Sequence, residues 1–476
     1  MRAVAVRGVL VSVGAVLAGC NGKDPSDGGS DCGQATIPEA NPTVVVLEFD
    51  TDEETTTHVE FSVDGGETKT TPTDDPSTHH KQALLGLPPD TEVAYTIQVD
   101  GGDSSVCEGT IRTGSLPPTF PPFEVTIDQP DKYVEPYLLI TFIQNPKVLA
   151  VIDRQGNVLW YLYADEKAPW ATKTFPKFHP GLIDDLAIIH ATLWPEQKQL
   201  VYNLQAREGD IGSVLWTNWL KEDVRAEVAP LSHHAFALNH ETGTVTYITL
   251  DVRDWFDPDE GKTVPVVGDA FIDLDTEGRH AELLNTWDQF EVEKNSHWDV
   301  AFYPQGHDWT HANATNFFPD KNAFLFSFAN TNTFMEWSYD TGPGEVFTWS
   351  DWHAAKGTKP FTYQHDPRWT TGDNISMTST PNDGITRGVV YHMDYATNTY
   401  SEVWSHGVGS GYEPVYAFAL GENHELANGN RLINFGSGAV IREVTPDDEV
   451  VWELRALPKD IWIGSVEAFS DFYAYE

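Results

Sequence analysis

The sequence predicts an all-β protein in which a small β-sandwich precedes a six-bladed β-propeller. Three observations support this prediction. Residues 41–114 consist of short, alternating apolar and polar runs separated by turn residues, which is typical of antiparallel strands. Residues 123–476 repeat a hydrophobic strand, a turn with Asp or Gly, and a strand that carries Val or Leu before Trp. No long segment shows apolar residues at the helical period, so a helical solenoid is disfavoured.

The first 19 residues have the pattern of an export signal. Arg2 and Arg7 precede the stretch VLVSVGAVLAGC, which is apolar and too short for a permanent membrane span. It ends in Leu-Ala-Gly-Cys and resembles the lipobox of bacterial lipoproteins. The resemblance implies cleavage before Cys20 and a lipid on the Cys20 sulfur. Because Asn21 rather than Asp follows, we expect anchoring in the cell envelope at the outer membrane, on its periplasmic or surface face; an ordinary secretory signal is the alternative.

Residues 20–40 are rich in Gly, Ser, Asp and Pro and predict a flexible tether. Within the predicted sandwich at 41–114, LLGLPPDTEVAYTI (84–97) resembles the tyrosine corner of fibronectin type III domains, with Tyr95 as the corner residue. Once Cys20 carries lipid, Cys32 and Cys107 remain, and in an oxidising compartment we expect them to form a disulfide. The proline-rich stretch that follows predicts a stiff linker at 115–122.

The repeats of residues 123–476 recur about every 58 residues and are marked by six tryptophans: Trp160, Trp216, Trp287, Trp349, Trp404 and Trp452. A strand-based repeat of this length is typical of a four-stranded propeller blade, and ring closure hides the strand edges. Six repeats therefore predict six blades, in which the tryptophans mostly pack blades together. The formal charge of −43 repels nucleic acid, so we expect no nucleic-acid partner.

Histidine is concentrated in three segments: LSHHAFALNHETG (231–243), GHDWTHANATN (306–316) and FTYQHDPRW (361–369). Histidine is neutral or cationic near neutral pH, which suits a nucleophile or a proton carrier. The segments fall in successive repeats, and the inner strands of a propeller converge on one channel. We therefore predict that His234, His311 and His365 meet at a channel mouth. His233 is expected to be a neighbour rather than a participant, because adjacent strand residues face opposite ways.

Four stretches together resemble the bacterial aryl-sulfate sulfotransferases: HHAF (233–236), DWTHANA (308–314), QHDPRW (364–369) and the last repeat at 426–454. The resemblance covers most of residues 123–476. It implies an enzyme that needs no cofactor and does not use the nucleotide donor PAPS. We also expect no metal. An aryl sulfate ester gives its sulfuryl group to a histidine, the phenol leaves, and a second phenol accepts the group. By motif, His365 is the sulfated histidine, while His311 and His234 hold sulfate oxygens or move protons.

Asn313 lies two residues beyond His311, on the same side of an extended chain, and is expected to donate to sulfate. His233, Arg368 and His424 are further candidates for substrate binding. One family feature is missing, an Arg shortly after the His-x-Asn segment. Here the stretch reads FSFANTNTFMEW (326–337), which places Phe328 or Ala329 at that position. Candidates to replace the missing charge are Arg368, Arg387, His307 and His424. Two alternatives therefore stay open, a catalytically silent ligand-binding propeller lipoprotein and a metal- or quinone-dependent propeller enzyme.

Overall fold

The computed structural model describes residues 33–99, 105–144, 147–164, 186–206, 212–221, 225–299, 302–381, 384–407, 411–457 and 461–473. The chain divides into two compact units, residues 1–115 and 116–476. Within the described ranges no helix combines the length and the apolarity that crossing a membrane requires. The predicted signal segment, Cys20 and Cys32 lie outside the described residues.

The first unit contains two antiparallel sheets, with strand orders β1-β2-β5 and β4-β3-β6-β7. The strands are β1 (Gln34–Thr36), β2 (Val45–Thr55), β3 (Thr57–Val63), β4 (Thr68–Thr70), β5 (Ser77–Leu84), β6 (Glu92–Val99) and β7 (Ser105–Arg112). Strand β1 corrects the predicted tether of residues 20–40, because Gln34–Thr36 pairs with β2 and so belongs to a sheet.

Alternation along the strands fills the core of this unit. Val59 and Phe61 of β3 are buried against partners on β6, including Tyr95, which is 3% exposed. A side chain at Gly109 would lie 2.4 Å from the Tyr95 hydroxyl oxygen, which explains the glycine on β7. The assignment to the fibronectin type III class and the disulfide of Cys107 with Cys32 stay predictions.

The described part of the second unit forms six sheets, numbered here along the chain. Sheet 1 contains β9 (Tyr137–Phe142), β10 (Val148–Asp153), β11 (Val158–Tyr163) and the last strand, β35 (Ile463–Phe469). Sheet 2 contains β12 (Leu186–Ala187), β13 (Ala191–Trp194), β14 (Gln199–Ala206), β15 (Gly212–Thr217) and β16 (Arg225–Val228). Sheet 3 contains β17 (Ser232–Asn239), β18 (Thr244–Asp257), β19 (Lys262–Leu274), β20 (His280–Asn285) and β21 (His307–Asp308).

Sheet 4 contains β22 (Ala312–Phe318), β23 (Ala323–Phe328), β24 (Thr333–Ser338) and β25 (Gly342–Phe347). Sheet 5 contains β26 (His353–Ala354), β27 (His365–Trp369), β28 (Asn374–Ser379), β29 (Arg387–Asp394) and β30 (Thr399–His406). Sheet 6 contains β31 (Glu422–Glu425), β32 (Arg431–Asn434), β33 (Val440–Val444), β34 (Val450–Ala456) and β8 (Phe123–Asp128). One short helix, α1 (Thr286–Gln289), and 3₁₀ turns at Pro130–Lys132, Pro195–Gln197, Pro319–Lys321 and Gly436–Gly438 complete the described elements.

Successive sheets pack side by side around a ring. Apolar clusters join sheets 2 to 3, 3 to 4, 4 to 5 and 6 to 1, and the Trp160 indole donates to the Trp219 carbonyl between sheets 1 and 2. A polar side chain also links each sheet to the next: Thr141 to Ile189, Asn203 to His234, Asp269 to Ala312, Asn313 to Gln364, Ser376 to Asn423 and Asn434 to Gly464.

Both ends of the unit take part in closing the ring. Strand β35 pairs with β9 and so completes sheet 1, while β8 pairs with β34 at the edge of sheet 6. Pairing hides strand edges that would otherwise invite association. The all-β class is confirmed, and we interpret the six sheets as the six predicted blades.

The repeated tryptophans only partly follow the predicted packing role. Trp160, Trp216 and Trp452 lie in strands and are at most 2% exposed. Trp349 instead follows β25, is 48% exposed and donates from its indole to the Phe361 carbonyl. Its regular spacing therefore marks a blade end rather than a core position.

Candidate active site

The three predicted histidines come from three consecutive sheets and meet. His234 lies on β17, His311 directly precedes β22, and His365 begins β27. The ring centroids of His234 and His311 are 4.9 Å apart, and those of His234 and His365 are 6.1 Å apart. We call these three residues the histidine cluster. The strand starts thus bring together side chains separated by up to 131 positions, as the propeller prediction requires.

Each of the three strands is irregular at this point. Register shifts interrupt the pairing after His233, after Ala312 and after His365. His234 and His311 have positive φ angles of 55° and 51°. Positive φ is uncommon for residues other than glycine, and bulges re-aim side chains near functional sites. The irregular backbone therefore turns the rings toward one another.

The bulge on β17 gives the His233 ring a different direction from the one that simple alternation predicts. Simple alternation would point its ring away from His234, yet the two Nδ1 atoms are only 2.9 Å apart. His233 Nε2 lies 3.1 Å from Asp269 Oδ1, and the Tyr303 hydroxyl lies 3.1 Å from His233 Nδ1. Hydrogen bonds to Thr310 and to the Ala312 amide, together with His233, overcome burial and lower the pKa of Asp269. His233 is therefore a neighbour of the histidine cluster, in contact with His234 and with Asp269.

His311 is the cationic member of the cluster. Its Nδ1 lies 2.5 Å from Asp308 Oδ2, and both side chains are buried. Burial alone disfavours the imidazolium, but the charge of Asp308 and its hydrogen bond outweigh burial and raise the pKa of His311. The carboxylate therefore keeps a proton on His311 at higher pH than burial alone would allow.

His234 and His365 are held neutral. Burial lowers the pKa of both rings. The neighbouring histidines lower that of His234 further, whereas Asp366 and Glu422 offset only part of the effect of burial on His365. Both ring nitrogens of His365 are buried and, among the described residues, have no side-chain hydrogen-bond partner; the Gly421 backbone contacts the ring. A neutral imidazole with an unshared lone pair is a competent nucleophile. The adjacent carboxylate of Asp366 accepts hydrogen bonds from Arg368 and Asn316 rather than from this ring.

Asn313 occupies a different place from the one the sequence suggested. Extended geometry would put it on the same side as His311. The register shift at Ala312 breaks that alternation, and Asn313 is 2% exposed. Its amide donates to the Gln364 carbonyl at 2.8 Å, beside His365. Asn313 therefore positions the strand that carries His365.

Arg368 and His424 belong to an adjoining set, here called the charged cluster, with Asp366, Glu422 and His190. Arg368 Nε donates to Asp366 Oδ2 at 2.6 Å, and His424 Nε2 lies 3.7 Å from the same oxygen. His424 Nε2 is also 3.8 Å from Glu422 Oε1. Burial opposes ionisation of Asp366, but Arg368 and His424 outweigh it and lower its pKa to about 2.

A small cavity connects the two clusters. It is lined on one side by His234 and His365, and on the other by His190, Asp366 and Glu422. Burial lowers the pKa of His190 to about 4, so this ring is neutral at physiological pH. The cavity wall thus combines neutral imidazoles with ionised carboxylate.

Two candidates to replace the missing family Arg lie elsewhere. Arg387 pairs with Glu402 at 2.8 Å, and His307 stacks on Trp298 and contacts its carbonyl. Phe328 and Ala329 are both 0% exposed, and the Ala329 amide donates to the His311 carbonyl. The position aligned with the family Arg is therefore filled by packed, apolar side chains.

Sequence reasoning missed His190, Glu422, Asp269 and Phe302 as neighbours of the site. His190 and Glu422 are 232 positions apart, and neither sits in a distinctive motif. Only the spacing Glu422-x-His424, which puts both residues on one face of a strand, offered a signal. Their proximity arises because sheets 6 and 1 close the ring.

The fold and the site define a propeller with a histidine-lined cavity where successive sheets meet. Two family models described as arylsulfotransferase (ASST) match the sequence, at residues 124–346 and 290–456. Together they span most of the second unit, and the chain belongs to the arylsulfotransferase family. The predicted family resemblance is confirmed.

Among functionally curated proteins, no sequence matches this chain. Solved structures with some similarity include the Pseudomonas aeruginosa periplasmic gluconolactonase, at 10% identity over 70% of this chain and 99% of that one, with a TM-score of 0.36. The β-propeller domain of the Pyrococcus furiosus Trilobed protease matches at 10% identity over 57% and 70% of the two chains, with a TM-score of 0.28. At these scores the similarities carry no argument.

Proposed function

We propose that this protein transfers a sulfuryl group from an aryl sulfate ester to a phenol through a covalent intermediate on His365. The observation that carries the proposal is the histidine cluster itself. His365, a buried ring with a lowered pKa and no side-chain hydrogen-bond partner among the described residues, shares a site with His311, whose pKa is raised by the Asp308 carboxylate. Family membership supports the same class of reaction.

In the first step, a ring nitrogen of His365 attacks the sulfur of the donor. The nitrogen–sulfur bond forms as the bond between sulfur and the phenolic oxygen breaks. The departing phenolate takes the proton from His311, which becomes neutral. The sulfated ring of His365 carries positive charge, and the neighbouring carboxylates of Asp366 and Glu422, which favour a charged His365, stabilise it.

In the second step, an acceptor phenol reverses the sequence. Its hydroxyl gives a proton to His311 while its oxygen attacks the sulfur, and the nitrogen–sulfur bond breaks. His365 returns to its neutral form and His311 to its cationic form. One histidine thus serves as acid and then as base, as microscopic reversibility demands when donor and acceptor are both phenols.

An exposed aromatic side chain supports an aryl substrate. Phe302 is 52% exposed, and its ring centroid lies 4.6 Å from that of His311 and 6.3 Å from that of His234. Large exposed aromatic surface beside polar catalytic groups favours binding of another ring. We propose that Phe302 contacts the aryl group of the donor or acceptor.

Turnover of para-nitrophenyl sulfate with a phenol acceptor tests the proposal. His365→Asn removes the nucleophile and should abolish nitrophenol release. His392→Asn is the matched control, because His392 is an exposed histidine of the same sheet whose ring contacts Asn374. Equal turnover by wild type and His365→Asn would show that the assignment is wrong.

The absence of the family Arg favours one alternative, a binding propeller without catalysis. Ala329 supplies no charge to hold a sulfate, and Arg368 is engaged by Asp366. If wild type binds aryl sulfates yet turns over none of them, this alternative replaces the enzyme proposal.

Anchoring and oxidation are proposed from the sequence alone. We expect lipid on Cys20, a bacterial cell-envelope location and a disulfide joining Cys32 to Cys107. The intact mass of protein extracted from membranes measures both modifications. An unmodified Cys20 would contradict the anchor, and free thiols at the other two positions would contradict the disulfide.

A further inference from the structure

The charged cluster brings three potential metal-ligand atoms close together. Oδ2 of Asp366, Oε1 of Glu422 and Nε2 of His424 offer ligand atoms that all lie within 4.8 Å of one another. The carboxylate side chains are each 5% exposed, and the His424 side chain is 18% exposed. This is a buried arrangement, unlike the exposed acidic groups that are common on protein surfaces.

The two carboxylate oxygens of Glu422 have different surroundings. Its Oε2 accepts hydrogen bonds from the Val466 amide at 2.8 Å and from Asn434 at 3.3 Å. Its Oε1 faces His424 at 3.8 Å and His190 at 4.0 Å, beyond hydrogen-bonding distance in both cases. Among the described residues, the buried Nε2 of His424 has no hydrogen-bond partner either. Glu422 also lines the cavity.

We propose that Asp366, Glu422 and His424 bind a divalent transition-metal ion, with Zn²⁺ as the type. Two ligand atoms bound tetrahedrally at about 2.1 Å from Zn²⁺ are about 3.4 Å apart. His424 Nε2 lies 3.7 Å from Asp366 Oδ2 and 3.8 Å from Glu422 Oε1, and all three ligand atoms lie within 4.8 Å of one another, so side-chain movements of about an ångström would reach that value. Mixed imidazole and carboxylate donors favour first-row transition metals over Ca²⁺ or Mg²⁺.

The charge balance of the cluster favours a cation. The ion pair of Asp366 with Arg368 is neutral overall. The remaining carboxylate, Glu422, is buried, and its Oε1 lies 3.8 Å from His424 Nε2 and 4.0 Å from His190 Nδ1. A divalent ion would change the local balance from about −1 to about +1 and satisfy that oxygen.

The contacts described above are sufficient to argue for the metal site. A role of the ion beside His365 rests on the proposed function. The same cavity is lined by His365 and by Glu422. A positive charge there would attract a sulfate ester into a site where Ala329 supplies none of the charge of the family Arg. The ion therefore substitutes for the missing side chain in holding the donor.

Metal binding by the full-length chain tests the site without any sulfate ester. Protein stripped with EDTA is dialysed against buffered free Zn²⁺, and bound zinc is measured by mass spectrometry. Wild type should bind about one zinc per chain. Glu422→Gln and His424→Ala should weaken binding at least tenfold. His79→Ala is the matched control, because His79 pairs with Asp50 at 2.8 Å in the other unit, and it should bind zinc as wild type does.

Co²⁺ provides a second readout that depends on coordination. Added to wild type, it should give visible d–d absorption that His424→Ala lacks. If the variants fail to fold by circular dichroism, wild-type zinc binding and the Co²⁺ spectrum still decide. No stoichiometric zinc and no d–d absorption in wild type would overturn the site, as would folded variants that bind zinc like wild type. A proton shared among these groups would then explain their arrangement.

Turnover measurements on stripped and zinc-loaded protein distinguish the failure of the metal-site proposal from the failure of the proposed function. Stripping should raise the KM for an aryl sulfate, and Zn²⁺ should restore it. Zinc bound by a protein inert toward aryl sulfates would keep the site and reject the sulfotransferase proposal. Turnover that is unaffected by stripping would reject only the role of the ion in holding the donor.

Discussion

Asp308→Asn isolates the proton that His311 is proposed to supply. The substitution keeps the shape of the side chain but removes the charge that lies 2.5 Å from His311 Nδ1. A hydrogen bond to a charged group contributes about 1.5–3 kcal/mol. Since 1.36 kcal/mol corresponds to a tenfold change, the loss of His311 cation should slow proton-dependent turnover on the order of 10- to 100-fold.

The direction of the pH dependence follows from the raised pKa of His311. The cationic form is present below that pKa and is lost as the pH rises through it. Without Asp308, only burial and the neighbouring charges remain, so the cation is lost at lower pH. The basic limb of the kcat profile should therefore move to lower pH in Asp308→Asn.

The assay compares two donors. Nitrophenolate leaves without help from an acid, whereas phenolate needs a proton. Asp308→Asn should therefore reduce turnover of phenyl sulfate much more than that of para-nitrophenyl sulfate. Asp448→Asn is the matched control, because Asp448 pairs with a buried histidine, His406, at 2.6 Å outside the histidine cluster. Equal losses for both donors, or no loss, would refute His311 as the proton donor.

Three further predictions concern the scaffold and are measured by chemical denaturation. Ala329→Arg should destabilise the fold by several kcal/mol rather than improve donor binding, because Ala329 is 0% exposed and would bury an unpaired charge; a stable variant with a lower KM would contradict this. Arg154→Met should cost about 3–5 kcal/mol, because it leaves the buried Glu443 without its partner at 2.8 Å; a neutral effect would show that the pair is dispensable. Gly464→Ala should destabilise too, because its Cβ would lie 2.2 Å from the Ile189 carbonyl; unchanged stability would indicate that this contact relaxes freely.

The sequence predicted the repeated architecture because strand, turn and tryptophan recur with a regular spacing. It also predicted which histidines meet, since residues at equivalent places in successive repeats converge in a propeller. It did not predict the start of the first sheet at Gln34, where polar residues pair as an edge strand. Local composition alone cannot distinguish such a strand from a tether.

The finer geometry of the site was not predictable for a physical reason. Alternation placed His233 away from its neighbour and Asn313 beside His311. Bulges after His233 and Ala312 shift the register and overturn both expectations. A bulge depends on contacts with the neighbouring strand, so it leaves little trace in one strand's own sequence. The meeting of His190 with Glu422 likewise depends on ring closure.

The proposed mechanism depends on a covalent bond between His365 and sulfur. The most direct measurement is the mass of peptides from wild type incubated with an aryl sulfate donor alone, without acceptor, and digested at neutral to alkaline pH. We expect one added sulfuryl group on the peptide that contains His365, stable in base and lost in acid. Added phenol should remove the group. A sulfuryl group on another residue, or donor consumption without any labelled peptide, would contradict the claim.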